Sequence, residues 1–235
     1  GLGASFALVL AGAGADLVIG ARRVAELAAV RNAVLETGRR CVALAADVTK
    51  AGDCSALVAA AEELGGVHVL VNNAGTGYAA RAERDDAERA ARVVDVNLMG
   101  AFRMAAEAGR AMIARGDGGS IVNVSSALGL APGDVPQAAY AASKAGLLGL
   151  TRELAAQWAG HAIRVNALVP GFFSSEMTEP LLSRPAGLAA VVGRTPLGRV
   201  GRPAELAGPL LLLASDAGSY MTGASLCVDG GWTMH

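Results

Sequence analysis

The stretch His68-Val69-Leu70-Val71-Asn72-Asn73-Ala74-Gly75 decides the fold. Its first half is a short, continuous apolar run without alternation of apolar and polar positions, as a strand buried on both faces requires. The run stops in an asparagine pair followed by alanine and glycine. Those residues permit close approach of a ligand, and equally a turn with unusual backbone angles. Runs of similar character occupy residues 16–21, 41–46, 120–125, 163–169 and 225–229. Between them lie Ala-rich segments of helical length at 3–14, 24–37, 53–64, 85–115, 139–160 and 203–214. Alternating strand and helix predicts an α/β, doubly wound parallel sheet with right-handed crossovers and helices on both faces. No linker or internal repeat divides the chain, so residues 1–235 read as a single domain.

Ligands in such sheets bind beyond the carboxyl ends of the strands. The polar and glycine punctuation falls at that edge. Arg22 and Arg23 follow the first run, Asp47 and Val48 the second, Asn73-Ala74-Gly75 the third, Ser125 and Ser126 the fourth, and Pro170-Gly171 the fifth. The chain opens Gly1-Leu2-Gly3 and runs straight into an apolar helix. Glycines at a strand-to-helix turn let the backbone approach a pyrophosphate, which the helix N-terminus attracts. That turn calls for a strand before it, at the centre of the sheet, and the sequence supplies none. Its loss would bare the edges of both neighbours. The expectation is therefore that the first central strand, with about half of a glycine loop, is missing from this sequence.

Composition narrows the class of function. Of 235 residues, 53% are hydrophobic and 17% charged, enough for a large core, and the formal net charge is −1. That balance speaks against nucleic acid or an anionic membrane as partner. Cys41, Cys54 and Cys227 are scattered and lack CxxC spacing, which reads as buried thiols in a reducing cytoplasm. His68, His161 and His235 stand far apart, so no metal is expected.

Two arginines, Arg22 and Arg23, stand where an NAD-binding chain would place an acidic residue, and no Asp or Glu lies between Gly20 and Ala25. An arginine there accommodates a 2′-phosphate, so the cofactor expected is NADP, with NAD the alternative. Asp47 and Val48 would hold an adenine through a carboxylate acceptor and an apolar wall; the alternative is that Asp47 caps the helix that follows.

Only Lys50 and Lys144 among the twenty basic residues are lysines. Lys144 follows Tyr140 by one helical turn, which puts phenol and ammonium on one face. A nearby cation favours the phenolate, and so makes a proton donor and acceptor usable near neutral pH. The pair is a weak signal alone and gains meaning from its neighbours.

Taken in order, Gly1-Leu2-Gly3, Asn72-Asn73-Ala74-Gly75, Ser126, Tyr140-x-x-x-Lys144, Pro170-Gly171 and Val228-Asp229-Gly230-Gly231 resemble the short-chain dehydrogenase/reductases. The resemblance covers the whole length and is nearest to the compact branch that holds sugar-acid dehydrogenases and ketoacyl reductases. It implies a Rossmann-type fold and hydride transfer between NADP(H) and the carbonyl or alcohol carbon of a small substrate. It makes Tyr140 the general acid/base and Lys144 the residue that binds the nicotinamide ribose and lowers the tyrosine pKa. Ser126 becomes the residue that polarises the substrate oxygen, and Asn97 the one that positions a relay water. Residues 172–203 become a flap over nicotinamide and substrate, with Phe173 and Ser175 meeting the cofactor. Phe172 and Phe173 are either substrate wall or core. Arg194 and Arg199 either meet an acidic substrate or are solvated. A homotetramer or homodimer is implied, built on the helices at 85–115 and 139–160. A non-catalytic dinucleotide-binding regulator, or a scaffold that keeps the fold, is the rival reading.

Overall fold

A computed structural model of the chain describes residues 1–234; His235 lies outside them. The apolar runs form β1 (Leu17–Ala21), β2 (Cys41–Ala45), β3 (Val69–Asn72), β4 (Gly119–Val124), β5 (Ile163–Pro170) and β6 (Ser225–Val228). Each ladder among them is parallel. β3, β4, β5 and β6 join in that order, while β1 and β2 form a separate pair. Among the described residues no ladder links β1 to β3, so each keeps one unpaired edge. The break falls where the sequence calls for a further central strand.

The helices are α1 (Leu2–Gly12), α2 (Val24–Leu35), α3 (Ala51–Glu63), α4 (Ala87–Val94), α5 (Gly100–Arg115), α6 (Ala138–Trp158), α7 (Glu179–Leu182), α8 (Pro185–Arg194) and α9 (Ala207–Ala214). Adjacent strand residues point to opposite faces, and both faces of the sheet are covered. Ile121, Ile163 and Val165 pack against α5 and α6 through Ala105, Met112 and Leu154. Val122, Val124 and Leu168 pack on the other side against Phe6 of α1 and Leu210 and Leu213 of α9. A fully buried Val, Leu or Ile stabilises by about 1.5–3 kcal/mol, and this double burial is why these runs do not alternate. The fold is the α/β Rossmann type that the sequence implied.

Two expectations need correction. The helix expected over 85–115 is divided: α4 ends at Val94, a π turn covers Asp95–Met99, and α5 begins at Gly100. The wider turn carries Asn97, whose side chain bonds outside the helix, and π turns often mark functional positions. The three cysteines are free thiols, but only Cys41 and Cys54 are buried; Cys227 is exposed. It lies on β6, the last strand of its ladder, which has only β5 beside it. No described helix is long and apolar enough to cross a membrane.

Candidate active site

A buried chain of amides fixes the exit of β3. Asn72 Nδ2 donates to Asn123 Oδ1 over 2.9 Å and to the Ala101 carbonyl over 3.2 Å. Asn123 Nδ2 in turn donates to Thr151 Oγ1 of α6 over 2.9 Å. These bonds lock β3 to β4, α5 and α6, as expected of an asparagine tying strands together. Asn73 follows half-buried, and Ala74 and Gly75 are exposed.

The same edge receives Tyr140 and Lys144 from the first turns of α6. Ser125 Oγ donates to the Lys144 carbonyl over 2.8 Å, so Ser125 points away from Ser126's side of the strand end, as alternation requires. Ser143 Oγ donates to the Tyr140 carbonyl over 2.7 Å. Ser126 opens a tight turn, Ala127–Gly129, where its Oγ accepts from the Leu128 amide over 3.2 Å.

Lys144 is 4% exposed. Its Nζ donates to the Val124 carbonyl over 2.8 Å and has no other protein acceptor among the described residues. A Cβ at Gly75 would lie 3.5 Å from that Nζ and 3.5 Å from Asn97 Oδ1, so Gly75 sits over both. An ammonium has three donors, and two of these remain free. Burial brings the Lys144 pKa down to about 8. Burial also pushes the Tyr140 pKa above its ordinary value, and the Ser126 hydroxyl opposes that rise. The Lys144 ammonium is not among the causes of the tyrosine shift. The ammonium stands 5.8 Å from the phenol ring centroid and turns to Val124, so desolvation dominates both groups.

Asn97 is held through both ends of its side chain. Its Oδ1 accepts from the Thr76 amide over 2.8 Å, while Nδ2 donates to the Thr76 carbonyl over 2.9 Å and to Ser143 Oγ over 3.0 Å. Both ends of the side chain thus help to hold residue 76 and α6.

The cofactor candidates separate into two groups. Gly1-Leu2-Gly3 open α1, with no side chain capping its first amides. Gly3 lies so near Asn73 that a Cβ would stand 2.6 Å from its Nδ2. Leu2 itself packs against the core. Arg22, Asp47 and Thr76 line one cleft. Asp47 Oδ1 accepts from the Thr49 amide over 3.0 Å and its hydroxyl over 2.8 Å, and these bonds hold the carboxyl below its usual range. That turn lies before α3, whose N-cap is Lys50 with no side-chain cap bond, so Asp47 does not cap the helix. Val48 lies against Gly100, where a Cβ would meet it at 2.5 Å. Gly171 donates to the Val228 carbonyl over 3.0 Å, just after Pro170 ends β5. The Ser175 hydroxyl shares a 3.0 Å hydrogen bond with Thr178 inside its own turn.

The Phe173 side chain takes the core alternative, packed with Phe6, Val122 and Leu206, because alternation past the end of β5 sends it inward and leaves Phe172 on the other side. The sequence reading also passed over Thr76, Gly77 and Ser143. A Cβ at Gly77 would stand 2.8 Å from Tyr140 Cδ2, so this glycine lets the tyrosine ring lie against the loop. A second glycine two positions past Gly75 was the available signal.

The family model described as "Enoyl-(Acyl carrier protein) reductase" matches residues 1–233. The chain belongs to the short-chain dehydrogenase/reductases. Among these dehydrogenases, galactitol 2-dehydrogenase (L-tagatose-forming) of Cereibacter sphaeroides is 43% identical over 237 residues, covering 100% of this chain and 91% of that one. The 2-dehydro-3-deoxy-D-gluconate 5-dehydrogenase of Escherichia coli (strain K12) is 38% identical over 238 residues, 99% of this chain and 91% of that one. A crystal structure of gluconate 5-dehydrogenase from Burkholderia cenocepacia J2315 in complex with NADP and tartrate matches with a TM-score of 0.93 at 34% identity. It covers 100% of this chain and 92% of that one. Short-chain dehydrogenase/reductases are NAD(P)-dependent oxidoreductases, the class the sequence implied.

Proposed function

We propose that this chain interconverts a carbonyl and an alcohol on a small molecule with NADP(H), using Tyr140 as general acid and base. The observation that carries the reading is Lys144, a buried ammonium with one protein acceptor, one turn from Tyr140 and under Gly75. Buried donors without partners are costly, so two free N–H groups at this place fit a hydroxylated ligand.

The dinucleotide fits the remaining residues. The uncapped start of α1, with Gly1, Leu2 and Gly3, suits a pyrophosphate. Arg22 stands at the cleft with Asp47 and supplies the cation for a 2′-phosphate. Exposed Ala74 and Gly75 leave the strand end open, with Asn73 beside them. Lys144 would hold the nicotinamide ribose. Ser175 and the backbone around Pro170 and Gly171 would meet the carboxamide, with residues 172–203 as a flap on a single domain. When bound, the nicotinamide supplies or accepts the hydride.

The chain's own residues do the rest. In reduction, Tyr140 gives its proton to the substrate oxygen while Ser126 donates a hydrogen bond to it as charge develops there. In oxidation, Tyr140 takes the alcohol proton. Burial of the phenol favours its protonated form, which suits a proton donor. Asn97 would act as a positioning residue, through Thr76 and Ser143. Asn97 would also position a relay water behind Lys144 at the π turn that carries it.

Exposed Met99, Phe102 and Ile113 at and along α5 support packing of this helix on a second copy, as in a homodimer or homotetramer. Light scattering on the purified protein would test that. Three unpaired thiols fit the cytoplasm as compartment.

Tyr140→Phe tests the central reading. Turnover is expected to vanish while NADPH still binds, as followed by tryptophan fluorescence; near-native turnover in that variant would remove Tyr140 from the chemistry.

A further inference from the structure

The cleft that holds Arg22 and Asp47 has a volume of about 540 Å³. Small-molecule sites run from about 300 to 1,000 Å³, so it is roomy enough for part of a dinucleotide. Its remaining wall comes from α4 and the π turn, through Arg89, Arg92, Val93 and Val96. Those four recur at spacings of three and four, which puts them on one helix face. None of them was singled out by the sequence.

The charges of the cleft do not cancel. Its cations are Arg22, Arg89 and Arg92, and its carboxylates are Asp47 and Asp95. Asp95 is already met by Arg103, which stands outside the lining and donates to it over 2.8 Å. With one lining arginine set against Asp47, two positive charges are left over. Asp85 and Asp86, just before α4, do not line the cleft. Asp85 accepts from the Tyr78 hydroxyl over 2.9 Å, and Asp86 from the Arg89 amide over 2.8 Å.

The α4 arginines are also unspent. The Arg89 guanidinium lies 3.6 Å from the Tyr78 ring centroid and has no side-chain hydrogen bond or ion pair among the described residues. Stacking orders a planar guanidinium without using its N–H donors. Arg92 reaches Glu88 at 4.0 Å, with both side chains well exposed, so that pair is weak. A phosphate monoester carries a charge of about −1.5 to −2 near neutral pH, which matches the surplus.

We propose that Arg89 and Arg92 are specificity-determining residues, whose charge joins that of Arg22 in drawing the 2′-phosphate of NADP(H) to this cleft. Preference for the phosphorylated cofactor is then divided between the exit of β1 and a helix that follows β3. This deepens the function proposed above and rests on its placement of the 2′-phosphate at Arg22.

The test titrates the intact protein, Arg89→Gln, Arg92→Gln and the double variant with NADPH and with NADH, read through the fluorescence of the reduced nicotinamide. Each single exchange is expected to raise the NADPH dissociation constant about two- to fivefold, and the double exchange about five- to twentyfold, with NADH changed less than about twofold. Added salt should shrink these differences. Arg89→Lys and Arg92→Lys keep the charge and are expected to keep the preference. Parallel loss of NADPH and NADH affinity in the glutamine variants, or a lysine variant as impaired as its glutamine counterpart, overturns the proposal. An unaltered protein that binds NADH as tightly as NADPH overturns the NADP(H) reading and this inference with it. A clear NADPH preference that the double variant retains in full overturns the inference alone.

Discussion

Arg23 Nη2 donates to Glu176 Oε2 over 2.7 Å, joining the exit of β1 to the segment after β5 across 153 positions of sequence. Glu26 approaches the same guanidinium at 3.1 Å. Arg22, one residue earlier, has no ion pair among the described residues and faces the cleft beside Asp47. The two arginines that looked equivalent in sequence are electrostatically different: one is free for a phosphate and the other is already shared between two carboxylates.

A 2′-phosphate that recruits Arg23 must compete with Glu176. Glu176→Gln removes that competitor. Because both partners are 61% exposed, the pair is weak, and the NADPH dissociation constant is expected to fall only about two- to fivefold. Fluorescence titration at low salt would show the change for NADPH and not for NADH, and added salt would erase it. An equal change for both cofactors would place the effect in the segment's mobility instead of the phosphate.

Lys144 carries a stability cost with a defined pH range. Its pKa is brought from 10.5 to about 8 by burial. Below pH ~8 the folded and unfolded chains both hold the proton, and the fold bears the whole cost of burying it, on the order of 3 kcal/mol. From pH ~8 to ~10.5 the unfolded chain binds more protons than the folded one, so stability rises with pH there. Lys144→Met removes the charge but also the bond to Val124. A net gain of roughly 1–2 kcal/mol is expected at pH ~7, shrinking towards pH ~10, together with loss of activity. Urea denaturation at the two pH values checks it; a destabilised variant at neutral pH would show that the ammonium is well accommodated. Lys144→Arg keeps the charge without the shape and is expected to be inactive too.

Gly77→Ala places a Cβ 2.8 Å from Tyr140 Cδ2, closer than real contacts allow. The phenol must shift, while the residues assigned to the cofactor stay in place. A fall in kcat of roughly 10- to 100-fold is expected with NADPH affinity nearly unchanged. A parallel loss of NADPH affinity would mean that the loop, and not the ring, had moved.

Asn97→Asp exchanges a donor for an acceptor opposite the Thr76 carbonyl, 2.9 Å away. The carboxylate keeps the bond from the Thr76 amide but leaves that carbonyl facing an oxygen. Destabilisation of about 1–3 kcal/mol is expected, seen as a Tm lower by several degrees. Lowering the pH should restore part of the loss, because the introduced carboxyl, once protonated, can donate again. A pH-independent deficit would point to a cause other than charge.

Several features of the site were legible because they follow from spacing along one element. Tyr140 and Lys144 share a helix face, and Asn72, Ser126 and Gly171 sit where apolar runs stop. Ser125 pointing away from Ser126 is local in the same sense. Phe172 and Phe173 were ambiguous, since an alternating pair shows that the two diverge without showing which faces the core. Gly77, Thr76 and Ser143 escaped notice because each matters through a partner twenty or more residues away in the chain.

The sequence by itself determined the order of strands and helices, the edge at which the chemistry gathers and the family to which the chain belongs. Those depend on periodicity and on motifs read within a few residues of one another. Only the tertiary structure decided that burial acts on both Lys144 and Tyr140, that Arg23 is shared with Glu176, and that Arg194 and Arg199 are held by Pro132 and Glu205. Each of those depends on burial and on contacts between distant segments. Desolvation and ion pairing are set by what surrounds a group in space, which spacing along the chain does not encode.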